Sequence, residues 1–195
     1  MSILRLTSAN SLVVVIDLQE RLLIRMPDMA GLLRDVGFLL DVANLLQLPI
    51  MTSEQYPQGL GPTHPEILRR VPKILAGKVA FSCCGGDGFM EQLAGFDRSN
   101  LVLAGMETHV CVLNTALDLL EKGFNIVLAV DGVSARFRVD HDIALRRLER
   151  AGCVLTTVET IAFEWVGGAN HPQFKPLSKL VQHRMGELMK SQSSY

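Results

Sequence analysis

Apolar residues in this chain follow two rhythms that alternate along its length. Short runs such as Leu12 to Ile16 are apolar at every position, and between them apolar positions recur every three or four residues. The first rhythm predicts strands buried on both faces, the second amphipathic helices. Leu12–Ile16 is the first predicted strand. From Pro27 to Leu48 a helix is predicted, with Leu32, Val36, Leu39, Leu40, Ala43 and Leu46 on its apolar face and Pro27 in its first turn. Strands at Leu48–Thr52 and Val79–Ser82 follow. A fourth, Leu101–Ala104, leads into a helix over about 109–122, with Gly123 just past its end. A fifth strand at Asn125–Val130, a helix running from an N-cap at Asp140 to Gly152, and a sixth strand at Cys153–Thr157 complete the pattern.

Fully apolar strands separated by helices predict an α/β fold. The expected architecture is a three-layer α/β/α sandwich around a doubly wound, mostly parallel, Rossmann-like sheet of about six strands. A length of 195 residues fits a single domain over 1–195, with a frayed polar tail at about 191–195. From Glu54 to Leu75 glycine and proline are frequent and periodicity is weak, which predicts a functional loop region.

Charge and cysteine usage remove several function classes. Nineteen basic against twenty acidic residues leave a net charge of −1, so no strongly basic face is required and nucleic acid is not an expected partner. The apolar stretch nearest the N-terminus is five residues long and closes on Asp17, unlike a secretory leader. No run approaches the roughly 18 apolar residues of a membrane span. The four cysteines, 83, 84, 111 and 153, form neither a CxxC pair nor a zinc pattern, and a disulfide framework is not expected. The expected setting is cytoplasmic, with no membrane partner.

Three positions stand out chemically. Cys111 follows a strand-to-turn-to-helix transition at Gly105. A helix N-terminus favours thiolate, which predicts a low-pKa nucleophile, and its N–H groups can hold an oxyanion. A small apolar cysteine packing helix on sheet is the alternative. Asp17 directly follows the first strand, at the end where doubly wound sheets bind ligands, and suits proton transfer; a helix cap is the alternative. Its neighbour two residues on is Gln19, not the second carboxylate that one phosphotransfer class requires. Lys78 can pair with a carboxylate and offset developing charge, or lie on the surface. Gly85 to Gly88 lacks phosphate-loop spacing and reads as a turn, and Cys83, Cys84 and Cys153 read as packing residues.

In order and context, these residues resemble the isochorismatase-like cysteine hydrolases over almost the whole chain. The family's V-x-D-x-Q matches Val15 to Gln19, its lysine before an F-S pair matches Lys78 to Ser82, and its G-x-x-T-x-x-C-V turn matches Gly105 to Val112. Segments 54–63, 113–120 and 171–175 resemble the subgroup of isochorismatase domain-containing protein 2 type. The resemblance implies a catalytic triad of Asp17, Lys78 and Cys111, a cis peptide between Met106 and Glu107, and an oxyanion hole from the N–H groups of Glu107 and Cys111. It also implies a small-molecule substrate, a homo-oligomer and no cofactor. Gln19, Tyr56, Phe81 and Trp165 are the expected pocket walls. The D-x-H metal motif of the family's nicotinamidases is replaced by Glu54-Gln55-Tyr56, which implies no metal site. The expected function is metal-independent cysteine hydrolysis of a small amide, imide or ureido compound. Hydrolysis of a non-amide molecule of vinyl-ether type, or a non-catalytic oligomeric scaffold, are the alternatives. Phe163, Trp165, Val166, Phe174, Leu177, Leu180 and Val181 are apolar residues available for subunit contact.

Overall fold

A computed structural model describes residues 4–75 and 77–192. Five parallel strands form one sheet in the order β2-β1-β3-β4-β5. They are β1 (Ser11–Ile16), β2 (Ile50–Ser53), β3 (Asn100–Met106), β4 (Asn125–Ser134) and β5 (Val154–Thr156). The helices, in chain order, are α1 (Glu20–Leu23), α2 (Met29–Leu45), α3 (Pro57–Leu60), α4 (Pro65–Leu68), α5 (Phe89–Ala94), α6 (Leu113–Glu121), α7 (Arg138–Ala151), α8 (Val158–Val166) and α9 (Phe174–Gln192).

Every residue of β1 and β3 is buried, because helices cover both faces of the sheet centre. Alternation along each strand divides the core in two. Val13, Val15, Val102, Ala104 and Val127 face α2, α8 and α9. Leu12, Val14, Ile16, Leu101, Leu103 and Leu128 face α5, α6 and α7. The chain winds outward from β1 to β2, then crosses back over β1 to β3. That reversal makes the carboxyl ends of β1 and β3 a topological switch point, the place where doubly wound sheets bind ligands, and Asp17 and Glu107 emerge there.

The three-layer, doubly wound parallel architecture agrees with the pattern of the sequence, with five strands in place of about six. Val79–Ser82 is not a strand. Just before it the chain makes single-residue bridges, Thr52 to Ile74 and Gln55 to Lys78, and after it turns into a short 3₁₀ segment at Cys83–Gly85. Its Val79 and Phe81 are exposed, so no burial rewards sheet pairing. Helix α7 starts from Phe137, which places Asp140 inside the first turn and not at the cap; a carboxylate there suits the helix dipole equally well. Strand β4 runs on to Ser134 after a register break opposite β3. The expected tail begins inside α9, which runs through Gln192; residues 193–195 lie outside the described residues.

Candidate active site

Asp17 leaves the sheet with a left-handed backbone, φ 54°, unusual for a residue other than glycine. Its N–H donates to the Ser53 carbonyl at 3.2 Å, and its own carbonyl accepts from Gln19 at 2.8 Å. This turn aims a fully buried carboxylate across the strand ends. The Ser53 hydroxyl donates to Asp17 Oδ1 at 2.8 Å, and Lys78 Nζ donates to Oδ2 at 2.7 Å.

Lys78 is held to the end of β2 by its backbone: its N–H donates to the Glu54 carbonyl and its carbonyl accepts from Tyr56, each at 2.8 Å. Its buried ammonium has an acceptor for each of its three protons: Asp17 Oδ2, Gln55 Oε1 at 2.7 Å and the Phe81 carbonyl at 3.2 Å. Burial opposes the charge on Lys78, but the facing Asp17 carboxylate and nearby thiols outweigh it and push the pKa above the ordinary 10.5. With every proton spoken for, what Lys78 can offer the site is its charge.

Cys111 sits in a single π-helical turn, Thr108–Val112, that runs directly into α6. Such turns recur at functional sites. Its buried thiol donates a long, 3.8 Å hydrogen bond to Gln55 Oε1. The low-pKa expectation is corrected by the surroundings. Burial pushes the thiol well above its usual range, the Asp17 carboxylate pushes it further through its charge and a hydrogen bond, and the Lys78 ammonium opposes them. The resting group is therefore a protonated thiol beside a carboxylate.

The peptide between Met106 and Glu107 is cis. Val110 and Val112 both donate to the Glu107 carbonyl, at 3.0 and 3.1 Å, which winds the turn bearing Cys111. The Glu107 carboxylate pairs with Arg136 at 2.6 Å.

The four expected pocket walls are separated by the fold. Tyr56 and Phe81 are exposed and stand on the two segments that hold Lys78. Gln19 is fully buried and braces the loop after β2. Its Nε2 donates to the carbonyls of Gln55 and Gly61 at 3.0 and 2.7 Å, and its Oε1 accepts from the Gln55 N–H at 2.8 Å. Trp165 is not at the site. It is buried among Val13, Val15 and the α2 side chains, on the opposite side of the sheet from Cys111. An amphipathic stripe on α8 drew it inward to the core.

Sequence reasoning missed Gln55 and Ser53. Gln55 lies in the stretch read as a functional loop that lacks the metal motif, with no role given to its own side chain, and Ser53 sits one residue beyond the strand read from the sequence. A polar residue ending a strand next to β1 was the available signal. Cys83 also does more than pack. Its buried thiol lies 3.3 Å from Ser53 Oγ, which links it to Asp17, and burial pushes it to about 11.

Residues 11–160 match the isochorismatase domain. The chain belongs to the isochorismatase family. It is 36% identical to isochorismatase domain-containing protein 2 of Homo sapiens over 179 residues, 91% of this chain and 86% of the relative. A solved Caenorhabditis elegans structure, described as MAR1 ribonuclease, superimposes with a TM-score of 0.87 at 36% identity, covering 92% and 93% of the two chains. The YcaC gene product of Escherichia coli, described as an octameric hydrolase of unknown specificity, shares the fold at a TM-score of 0.87 and 24% identity, covering 100% and 98%. In this isochorismatase-family chain Asp17, Lys78 and Cys111 lie together at the β1/β3 switch point. No helix among the described residues is long and apolar enough to cross a membrane.

Proposed function

We propose that this chain is a metal-independent cysteine hydrolase of small neutral amides, imides or ureido compounds. The observation that carries the reading is the buried set of Asp17, Lys78, Gln55 and Cys111, joined by hydrogen bonds at the switch point. Asp17 takes the thiol proton as Cys111 Sγ bonds to the substrate carbonyl carbon. It then passes that proton to the leaving nitrogen as the C–N bond breaks, leaving a thioester. A water molecule gives a proton to Asp17, adds to the thioester, and the sulfur leaves with that proton. Lys78 keeps the carboxylate oriented and compensated throughout. The N–H groups of Glu107 and Cys111 are the proposed oxyanion donors.

A raised thiol pKa supports this division of labour, because a protonated thiol needs the adjacent base that Asp17 provides. Charge pairing supports a neutral substrate. Lys78 is matched by Asp17 and Arg136 by Glu107, so neither cation is left for a substrate carboxylate as an anionic vinyl ether would require. Metal independence is supported by how residues 54–56 are spent. Glu54 Oε1 accepts from both the Thr63 N–H and its hydroxyl at 2.7 Å, and Gln55 serves Lys78.

A panel of amides, imides and N-carbamoyl compounds tests the reading. Turnover is expected that Cys111→Ala abolishes and EDTA leaves unchanged. Asp17→Asn is expected to lower turnover by at least about 100-fold while raising the rate at which iodoacetamide labels Cys111, since the carboxylate that holds the thiol protonated is gone. Turnover of RNA alone, or full activity in Cys111→Ala, overturns the proposal.

We further propose that the chain is a homo-oligomer. The C-terminal residues first considered for contact mostly cover the chain's own sheet: Trp165, Val166 and Leu177 are buried in its core. Val79, Phe81, Phe137, Val139 and Ile143 are among the exposed apolar side chains that a second copy would cover, and of the C-terminal set Phe163 stays exposed. Light scattering at micromolar concentration should give a multiple of the protomer mass; a monomer mass rules this out.

A further inference from the structure

Among the buried polar groups at the switch point, the Gln55 side chain has a fixed orientation and no part in the bond-making steps. Its Nε2 donates to the Val79 carbonyl at 3.0 Å, which requires the amide nitrogen on that side and turns Oε1 toward Lys78 and Cys111. Oε1 then accepts from Lys78 Nζ at 2.7 Å and from the Cys111 thiol at 3.8 Å. Its backbone is clamped in turn, N–H and carbonyl both, by the amide of Gln19. Two glutamines thus form a buried relay of fixed direction from β1 to the thiol.

We propose that Gln55 is a positioning residue whose amide oxygen holds Lys78 in place and keeps the proton on Cys111 until substrate arrives. An amide oxygen accepts a hydrogen bond from a thiol but is far too weak a base to remove its proton, so transfer is left to Asp17. Once the proton has gone, the same oxygen faces a thiolate with no hydrogen between them. That contact is repulsive, so Gln55 disfavours an idle thiolate and leaves a formed one ready to attack. A buried thiol kept protonated is also protected from alkylation and oxidation, which proceed through thiolate.

This proposal rests on the reading of Asp17, Lys78 and Cys111 as one reactive centre, yet its test needs no substrate. Iodoacetamide labelling of Cys111 is followed by peptide mass mapping between pH 7 and 9, with the half-buried Cys84 as internal standard. Gln55→Met removes the acceptor at similar size and should speed Cys111 labelling by about two- to tenfold, the equivalent of one hydrogen bond. Gln55→Glu puts a carboxylate beside the thiol and should slow labelling by at least as much. A merely structural role would loosen the loop in both variants and speed labelling in both. That outcome, or unchanged rates in both, overturns the proposal. If Gln55→Met also exposes the buried Cys153 to label, the Gln55→Glu arm decides by its sign alone. A wild-type protein that turns over nothing in the panel fails the hydrolase reading and leaves this result standing on its own.

Discussion

Gly105→Ala should cost the protein about 4–5 kcal/mol or more and lower its thermal midpoint by about 10–20 °C. Gly105 has φ 131°, and a Cβ built there lies 2.1 Å from the Ile16 carbonyl oxygen and 2.7 Å from the Ile16 nitrogen. Ile16 and Gly105 are register partners in the two central strands. Both strands are buried along their whole length, so neither backbone can retreat without disturbing a helix layer. The damage also falls on the residue after Ile16, which is Asp17. Gly123→Ala is the control: it too has a positive φ, 87°, but a Cβ there meets nothing within 4 Å. It should cost only the roughly 1–2 kcal/mol of a left-handed alanine. Thermal unfolding of the two variants side by side checks the argument. Equal losses would mean that backbone conformation, and not the approach to β1, is what glycine supplies at position 105.

Lys78→Met should lose about 3–5 kcal/mol in urea unfolding, because it leaves the Asp17 carboxylate buried without its counter-ion. The pair is almost wholly inaccessible, with side-chain exposures of 2% and 0%, so water cannot replace the ammonium. Asp17→Asn combined with Lys78→Met removes both charges and should recover most of that loss while turnover stays absent. A double variant as unstable as Lys78→Met alone would show that lysine packing, not charge pairing, sets the cost. The pair also fixes the sign of an alkaline effect. The folded pKa of Lys78 lies above the ordinary 10.5, so its contribution is fully present below that value and fades as pH rises through the folded pKa. Native stability should therefore fall on the alkaline side through this residue, and Asp17→Asn with Lys78→Met should flatten that fall.

The layered α/β fold was readable in residues taken locally. Val13, Val14 and Val15, or Leu101 to Ala104, are apolar without alternation, and only a sheet covered on both faces buries such a run. Gly123 and Gly152, both at positive φ, end α6 and α7 where the pattern stops. The order Asp17, Lys78, Cys111 was legible through its motifs, and Asp17 and Cys111 follow the ends of β1 and β3, which converge at a switch point. The strand expected after Lys78 does not form, and a single bridge to Gln55 brings that lysine in. Periodicity reports how a segment is buried, but not which side chain it meets tens of residues away. Trp165 and Cys111 were both expected at the site, as pocket wall and nucleophile, yet they lie in the two core halves on opposite sides of the sheet. Gln55 looked like a loop residue until a single bridge to Lys78 and the clamp of Gln19 turned its oxygen inward. The protonation of Cys111 was decided last of all. Its helix-start position argued for thiolate, whereas desolvation by everything packed around it and the charge of Asp17 argue for thiol. Local sequence determines what a segment must bury, and only tertiary packing determines what it is buried against.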